Sequence, residues 1–298
     1  MGITYFDARV LCSARLGGAS FRETLTIAHL SLNLHEHEVA SLRQMYATAA
    51  GVSGVDPFKD YVFGRYSDEF LKSYLAISSL SILDYSEYEG ATIVHDLNHP
   101  VPEHLHGRFD AVIDGGSLEH VFNFPVAIAN VMKMVKTGGH VFLKSPANNL
   151  CGHGFYQFSP ELMFRVFAPR NGFELEQVVL LEGTFPSVEE TPYRGAYEVT
   201  DPELVRTRVG LVSRRPVVIL VHARKIADRP IFAESPLQSD YVGKWEGSTP
   251  RTQRRGMLTE TRSALYRLLP SRMKAWVGGQ LKLRRYSLSN REFYRRLP

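Results

Sequence analysis

His153 lies between Gly152 and Gly154, and His120 follows Glu119 in the run Ser-Leu-Glu-His that begins at Ser117. An alcohol is a poor nucleophile until its proton leaves, and an imidazole that titrates near neutrality can take that proton. Asp114, Glu119 and Tyr156 are the other candidate proton acceptors in this stretch. His153 is the first choice for the base, because a glycine on each side lets its loop carry it over a bound molecule. His120 follows a predicted strand by six residues and faces either an acceptor or a helix partner. Asp84, Asp96 and again Asp114 stand at or just beyond the ends of the short apolar runs LSIL, ATIV and FDAVI. If those runs are parallel strands, the carboxylates share the edge at which open sheets bind ligands. An acid after the second strand can accept from both hydroxyls of a ribose, and one after the third from an adenine amino group. Metal-ligand spacing is poor: His35 and His37 point to opposite sides of a predicted helix, and Pro100 disfavours a helix that would align His95 with His99. No metal is assigned, and an assembled site of Asp114, His120 and His153 is the alternative.

Those groups require a parallel sheet beneath them. From Glu23 to about Ala223, apolar runs alternate with helix-period stretches, the pattern of strands joined by crossover helices. Strands are expected at Thr24–Ala28, Leu80–Leu83, Ala91–Val94, Phe109–Ile113, His140–Lys144, Phe173–Leu181 and Pro216–Val221. Helices are expected at about His35–Ala47, Arg65–Leu75, Phe124–Val135 and from Ser159, a cap followed by Pro160, to about Phe167. A Gly-rich turn is expected near Gly51 and Gly54, and Gly138 with Gly139 separates a helix from the next strand. The last two strands are about 34 residues apart, and loops that long are usually functional or disordered. With Pro186, Pro192, Tyr193, Tyr197 and Pro202 inside it, the stretch 182–215 is expected to be an acceptor-binding insert.

The chain has 298 residues, of which 44% are hydrophobic and 22% charged, a balance that builds a sizeable core and excludes a disordered or fibrous protein. Cys12 and Cys151 have no metal or redox spacing and cannot make a disulfide framework, which favours a reducing compartment. No apolar run approaches the roughly 18 to 20 residues of a membrane span, and the N-terminus has no signal pattern. The expected location is therefore cytoplasmic. The net charge of +4 conceals a division: 13 of the 35 basic residues but only two of the 31 acids follow Pro250, so 251–298 carries +11 and the first 250 residues −7. Dense Pro and Gly mark 226–250 as a linker. In the tail, Leu258–Leu269 and a second segment after Ser271 with Met273, Trp276 and Val277 read as basic amphipathic helices, a type that lies in membrane interfaces. About five cations on an anionic surface would contribute roughly 5 kcal/mol, placing the protein at the inner face of a membrane. Packing on the acidic body or a partner subunit is the competing reading, and nucleic-acid binding the weaker one.

The run FDAVIDGGSLEHVFNFPVAIANVMKMVKTGGHVFLKSP resembles the fourth strand, following loop, helix and fifth strand of class I S-adenosylmethionine (SAM)-dependent methyltransferases. Leu118, Glu119 and His120 stand in the family's "LEH" position, Lys136-Thr-Gly-Gly is similar to its "LKPGG" turn, and FYQFSPEL followed by Asn171, Gly172 and Phe173 is similar to its "hxxxFS…GF" segment. The resemblance covers roughly Glu23 to Ala223. It implies an α/β fold, a seven-stranded Rossmann-like methyltransferase sheet with helices on both faces, as a domain over 1–225, here with the basic C-terminal helical extension at 251–298. It also implies SAM as cofactor, with Asp84 on the ribose, Asp96 and Leu97 at the adenine, and Asp114 and Gly115 beside the methionine part. Tyr85 is placed to stack on an adenine face. The family expects a "DxGxGxG" loop after its first strand. This chain reads TLTIAHLSLN instead, so Ile27 and Ala28 stand where glycine backbone would approach the cofactor.

Two functions are consistent with these residues. One is methyl transfer from SAM to an oxygen of a sugar or another small or lipid-linked acceptor in surface-glycan assembly, with docking to a membrane surface or membrane complex through the tail. The other is a methyltransferase-like module without turnover that serves as a binding or scaffold subunit, which the missing glycines motivate.

Overall fold

The computed structural model describes residues 2–47, 56, 58–184, 192–245 and 270–298. Gly51, Gly54, Pro186 and the expected helix at Leu258–Leu269 lie outside the described residues.

A two-stranded parallel pair, β1 (Gly2–Ile3) and β3 (Ser31–Leu32), sits beside the main sheet. The seven expected strands are all present in that sheet, as β2 (Glu23–Ile27), β4 (Ser79–Asp84), β5 (Ile93–Val94), β6 (Phe109–Asp114), β7 (Val135–Asn148), β8 (Phe173–Glu182) and β10 (Val217–Lys225). Two short strands extend it: β9 (Gly195–Val199), inside the expected insert, and β11 (Tyr294–Arg296), in the basic tail. The spatial order is β11, β9, β8, β10, β7, β6, β2, β4, β5. The strands from β7 to β5 run parallel, and β10 is antiparallel to both of its neighbours. The chain therefore leaves β2 toward β4 and later returns to its other side with β6. That reversal is the topological switch point at which doubly wound sheets bind ligands, and the fold is the Rossmann-like one expected.

Both faces of the parallel strands are covered, which is why TLTI and FDAVI read as continuous buried runs rather than alternating ones. Ala111, Ile113 and Phe142 pack against α1 (Tyr5–Leu16), α2 (Glu36–Ala47) and α3 (Asp68–Leu75). Val112, Val141 and Leu143 face the other way, toward α4 (Phe124–Met134) and α5 (Pro160–Val166). Ser159 caps α5 by accepting from the Leu162 amide, with Pro160 at its first position. Helix α1 had no sequence expectation, yet it is fixed firmly: Asp7 accepts from the Thr4 amide at 2.7 Å and pairs with the buried Lys144 of β7 at 3.0 Å. Lys144 Nζ also donates to the Gly2 carbonyl.

The described part of the 182–215 stretch, from residue 192 on, folds back on the body. Beyond β9 it forms α6 (Pro202–Val205), where Arg165 of α5 bridges Asp201 and Glu203, and Tyr193 rests edge-on against Phe6. The 226–250 stretch includes α7 (Ser239–Trp245), anchored where Glu161 accepts from the Ser239 amide at 2.8 Å. The tail divides in character. Helix α8 (Ser271–Arg285) buries no residue, whereas Phe293 and Tyr294 belong to the main core and β11 pairs antiparallel with β9. No helix among the described residues is long and apolar enough to cross a membrane.

Candidate active site

The register aligns the strand ends. Ile27 pairs with Leu83 on one side and Asp114 on the other, and Asp84 pairs with Val94. The expected cofactor residues thus lie along one edge. Asp84 accepts from the Tyr85 amide at 2.6 Å, and Tyr85 is 74% exposed, available as a stacking surface. Asp96 accepts from the Asn98 amide and side-chain amide, which hold its carboxyl below the usual carboxylate range. Asn98 in turn accepts from the Asn123 amide, so this loop is tied to the start of α4. Leu97 is buried in the core, which leaves its backbone rather than its side chain to meet a ligand.

Ala28 adopts φ +61°, and its amide donates to Leu83 O at 2.8 Å. The left-handed backbone that glycine would supply after β2 is therefore made with an alanine, at a cost of about 1–2 kcal/mol. His29 Nδ1 lies 2.8 Å from Glu89 O and its Nε2 2.9 Å from Asp68, while its ring stacks on Tyr66 with centroids 3.5 Å apart. Leu30 is buried against Gly115: a Cβ built on that glycine would meet Leu30 Cδ2 at 2.8 Å. The edge fits the adenosine half of SAM, through Asp84, Tyr85 and Asp96. Leu30 packs closely beside Gly115, at the place expected for the methionine half.

Across β6 a second group converges. Asp114 is buried and accepts from the amides of Gly116, Ser117 and Leu118, at 3.3, 2.8 and 3.4 Å, so it caps the short 3-10 turn Leu118–His120. The turn directs Glu119 inward. Its carboxylate is 1% exposed, accepts from Ser145 Oγ at 3.0 Å and lies 3.6 Å from His153 Nε2. Burial raises the Glu119 carboxyl well above its ordinary value, and the neighbouring Asp114 raises it further. The ring of His120 lies 5.2 Å from that of His153, and burial together with His153 lowers its pKa. Ligating atoms of Glu119, His120 and His153 all lie within 4.8 Å of one another.

The Gly-His-Gly loop is held there by backbone bonds. The amides of Phe155 and Tyr156 both donate to Glu119 O, at 2.8 and 3.3 Å. Gly154 has φ +84°, and a Cβ on it would meet Glu119 O at 2.9 Å, so only glycine fits. The Tyr156 hydroxyl donates to Phe122 O at 2.6 Å, which makes this residue a strap between two loops rather than a free proton acceptor. Phe122 and Phe155, 73% and 68% exposed, meet edge to face beside the cluster. A cavity of about 20 Å³ adjoins it, lined in part by Glu119, Lys144, Ser145, His153 and Tyr193. Tyr193 thus brings the 182–215 stretch to the site. Glu119 was one candidate among several in the sequence; its pairing with His153 depends on two loop geometries that no spacing rule encodes.

No protein-family model and no curated protein sequence matches the chain. Solved structures similar to it include a candidate methyltransferase from Bacillus halodurans (14% identity, 74% of this chain and 99% of that one, TM-score 0.40). Others are 1,6-didemethyltoxoflavin-N1-methyltransferase from Burkholderia thailandensis (12%, 75% and 78%, TM-score 0.38) and the N-methyltransferase NodS from Bradyrhizobium japonicum (13%, 74% and 94%, TM-score 0.38).

Proposed function

We propose that this protein is a SAM-dependent methyltransferase that acts on a hydroxyl of a sugar or another small or lipid-linked acceptor, as in surface-glycan assembly. The observation that carries this reading is the pair of groups on either side of the switch point: a ribose-type carboxylate at the end of β4, and a proton-accepting cluster after β6 and β7. When bound, SAM supplies an electrophilic methyl group. The chain's own part is to hold the acceptor against Phe122 and Phe155 and to receive its proton at the Glu119–His120–His153 cluster, where His153 is 43% exposed and Glu119 orients it. Helix α8, with Trp276 66% exposed among Arg272, Lys274, Lys282, Arg284 and Arg285, supports docking to an anionic membrane surface.

The second reading, a binding module without turnover, is favoured by Leu30 against Gly115. Calorimetric titration with SAM separates the two. The enzyme reading expects saturable one-to-one binding that Asp84→Ala weakens. Absence of binding by both the wild type and a folded Leu30→Ala variant refutes it and leaves the second reading.

A further inference from the structure

We infer that Glu119, His120 and His153 form a binding site for a divalent transition-metal ion of the zinc class. Two imidazoles and one carboxylate are a donor set that such ions select, with positions left open for water or substrate. At metal–ligand distances of about 2.0 to 2.1 Å, neighbouring donor atoms around a tetrahedral ion are about 3.3 Å apart. The Glu119 Oε1 to His153 Nε2 separation is already 3.6 Å, and all three donors lie within 4.8 Å. The remaining closure falls to His120, the exposed member of the three, while Glu119 is buried.

The surroundings have the form of a ligand shell. Ser145 Oγ donates to Glu119 Oε2 and leaves Oε1 toward His153, the kind of outer partner that orients a ligating carboxylate. Phe155 and Tyr156 amides fix the His153 loop to the backbone of Glu119 itself, so two of the three ligands are held in mutual register. The nearby cation, Lys144, pairs with Asp7 at 3.0 Å and its charge also favours the ionised form of Glu119. The 20 Å³ cavity at Glu119 and His153 has room for a single coordinated water. With an ion in place, the metal would ionise an acceptor hydroxyl at neutral pH, a task that otherwise falls to His153.

This inference stands on the side chains and goes beyond the methyl-transfer reading. Its test uses the full chain, stripped with chelator and titrated with Co²⁺ alone, followed by visible absorption and by metal analysis after gel filtration. The expected result is one Co²⁺ per chain with ligand-field bands, and affinity lowered roughly 100-fold or more in His120→Ala and in His153→Ala, beyond what loss of an outer partner gives. His104→Ala, an exposed histidine in another loop, should bind as the wild type does. Because His120 is exposed, its variant tests the site without disturbing a buried group. No stoichiometric uptake, or uptake unchanged in both variants, overturns the proposal. A chain that binds Co²⁺ but not SAM refutes only the methyl-transfer reading, and one that binds SAM but not Co²⁺ refutes only this one.

Discussion

His140 of β7 and His222 of β10 meet in the sheet with Nδ1 and Nε2 2.9 Å apart, at the side of an open groove of about 740 Å³ along α1. Both rings are nearly buried, and His222 also stacks on Phe142. Burial, reinforced by His140, lowers the His222 pKa to about 4, and burial lowers that of His140 as well. A histidine whose pKa falls on folding is kept neutral by the fold. Its contribution to stability is complete above the unfolded value of about 6.5, and it is lost as pH falls from there through the folded value. For His222 the interval is about 2.5 pH units, which at 1.36 kcal/mol per unit is roughly 3 kcal/mol. That is a large part of the 5–15 kcal/mol by which domains are usually stable. Urea denaturation of the wild type and of His222→Gln, from pH 7.5 to pH 4, measures it. Glutamine can still hydrogen-bond His140 but does not titrate, so the wild type should lose about 3 kcal/mol more than the variant across this range. Parallel stability curves for the two proteins would refute the reasoning.

Three other outcomes are expected. Gly154→Ala should destabilise the chain by about 2 kcal/mol, from a left-handed alanine and a Cβ pressed on Glu119 O; Gly152→Ala, whose Cβ meets nothing within 4 Å, should cost under about 0.5 kcal/mol. Equal denaturation midpoints for the two variants would contradict this. Ala28→Gly should raise stability by about 0.5–1 kcal/mol by relieving the backbone after β2, and a lowered midpoint would show that alanine carries no strain there. Full-length protein should float with anionic but not neutral vesicles and be released by salt; equal flotation with both would exclude an electrostatic role for the tail.

Much of the fold was legible because it rests on period and composition. LSIL, FDAVI and the run before Lys144 had nowhere to go but a buried parallel sheet, and the Ser159 cap is a local signal, whereas Gly138 and Gly139, expected to separate helix from strand, lie inside β7, which begins at Val135 directly after α4. What escaped depends on tertiary partners. Strand β9 lies among prolines and becomes a strand only because β8 offers an edge, and β11 is a run of cationic residues whose pairing comes from β9. At the site, the residue types were visible but their division of labour was not. Asp114, a candidate cofactor acid or base, also caps a turn, and Tyr156, a candidate base, also straps two loops. His29 and Leu30 followed directly on the expected strand, yet their reach to Glu89 and Gly115 could not be read from one segment.

The placement of β11 also bears on how the protein can be handled. Phe293 and Tyr294 fill the core, and Arg295 and Arg296 line the outermost strand, with Arg295 paired to Glu198. Charged side chains on an outer strand discourage sheet-to-sheet association between molecules. A fragment cut before the basic segment would therefore lose two core aromatics and bare the backbone of β9 at once. It would aggregate rather than stand in for the acidic body, so the acidic body and the basic tail have to be purified and studied as one piece.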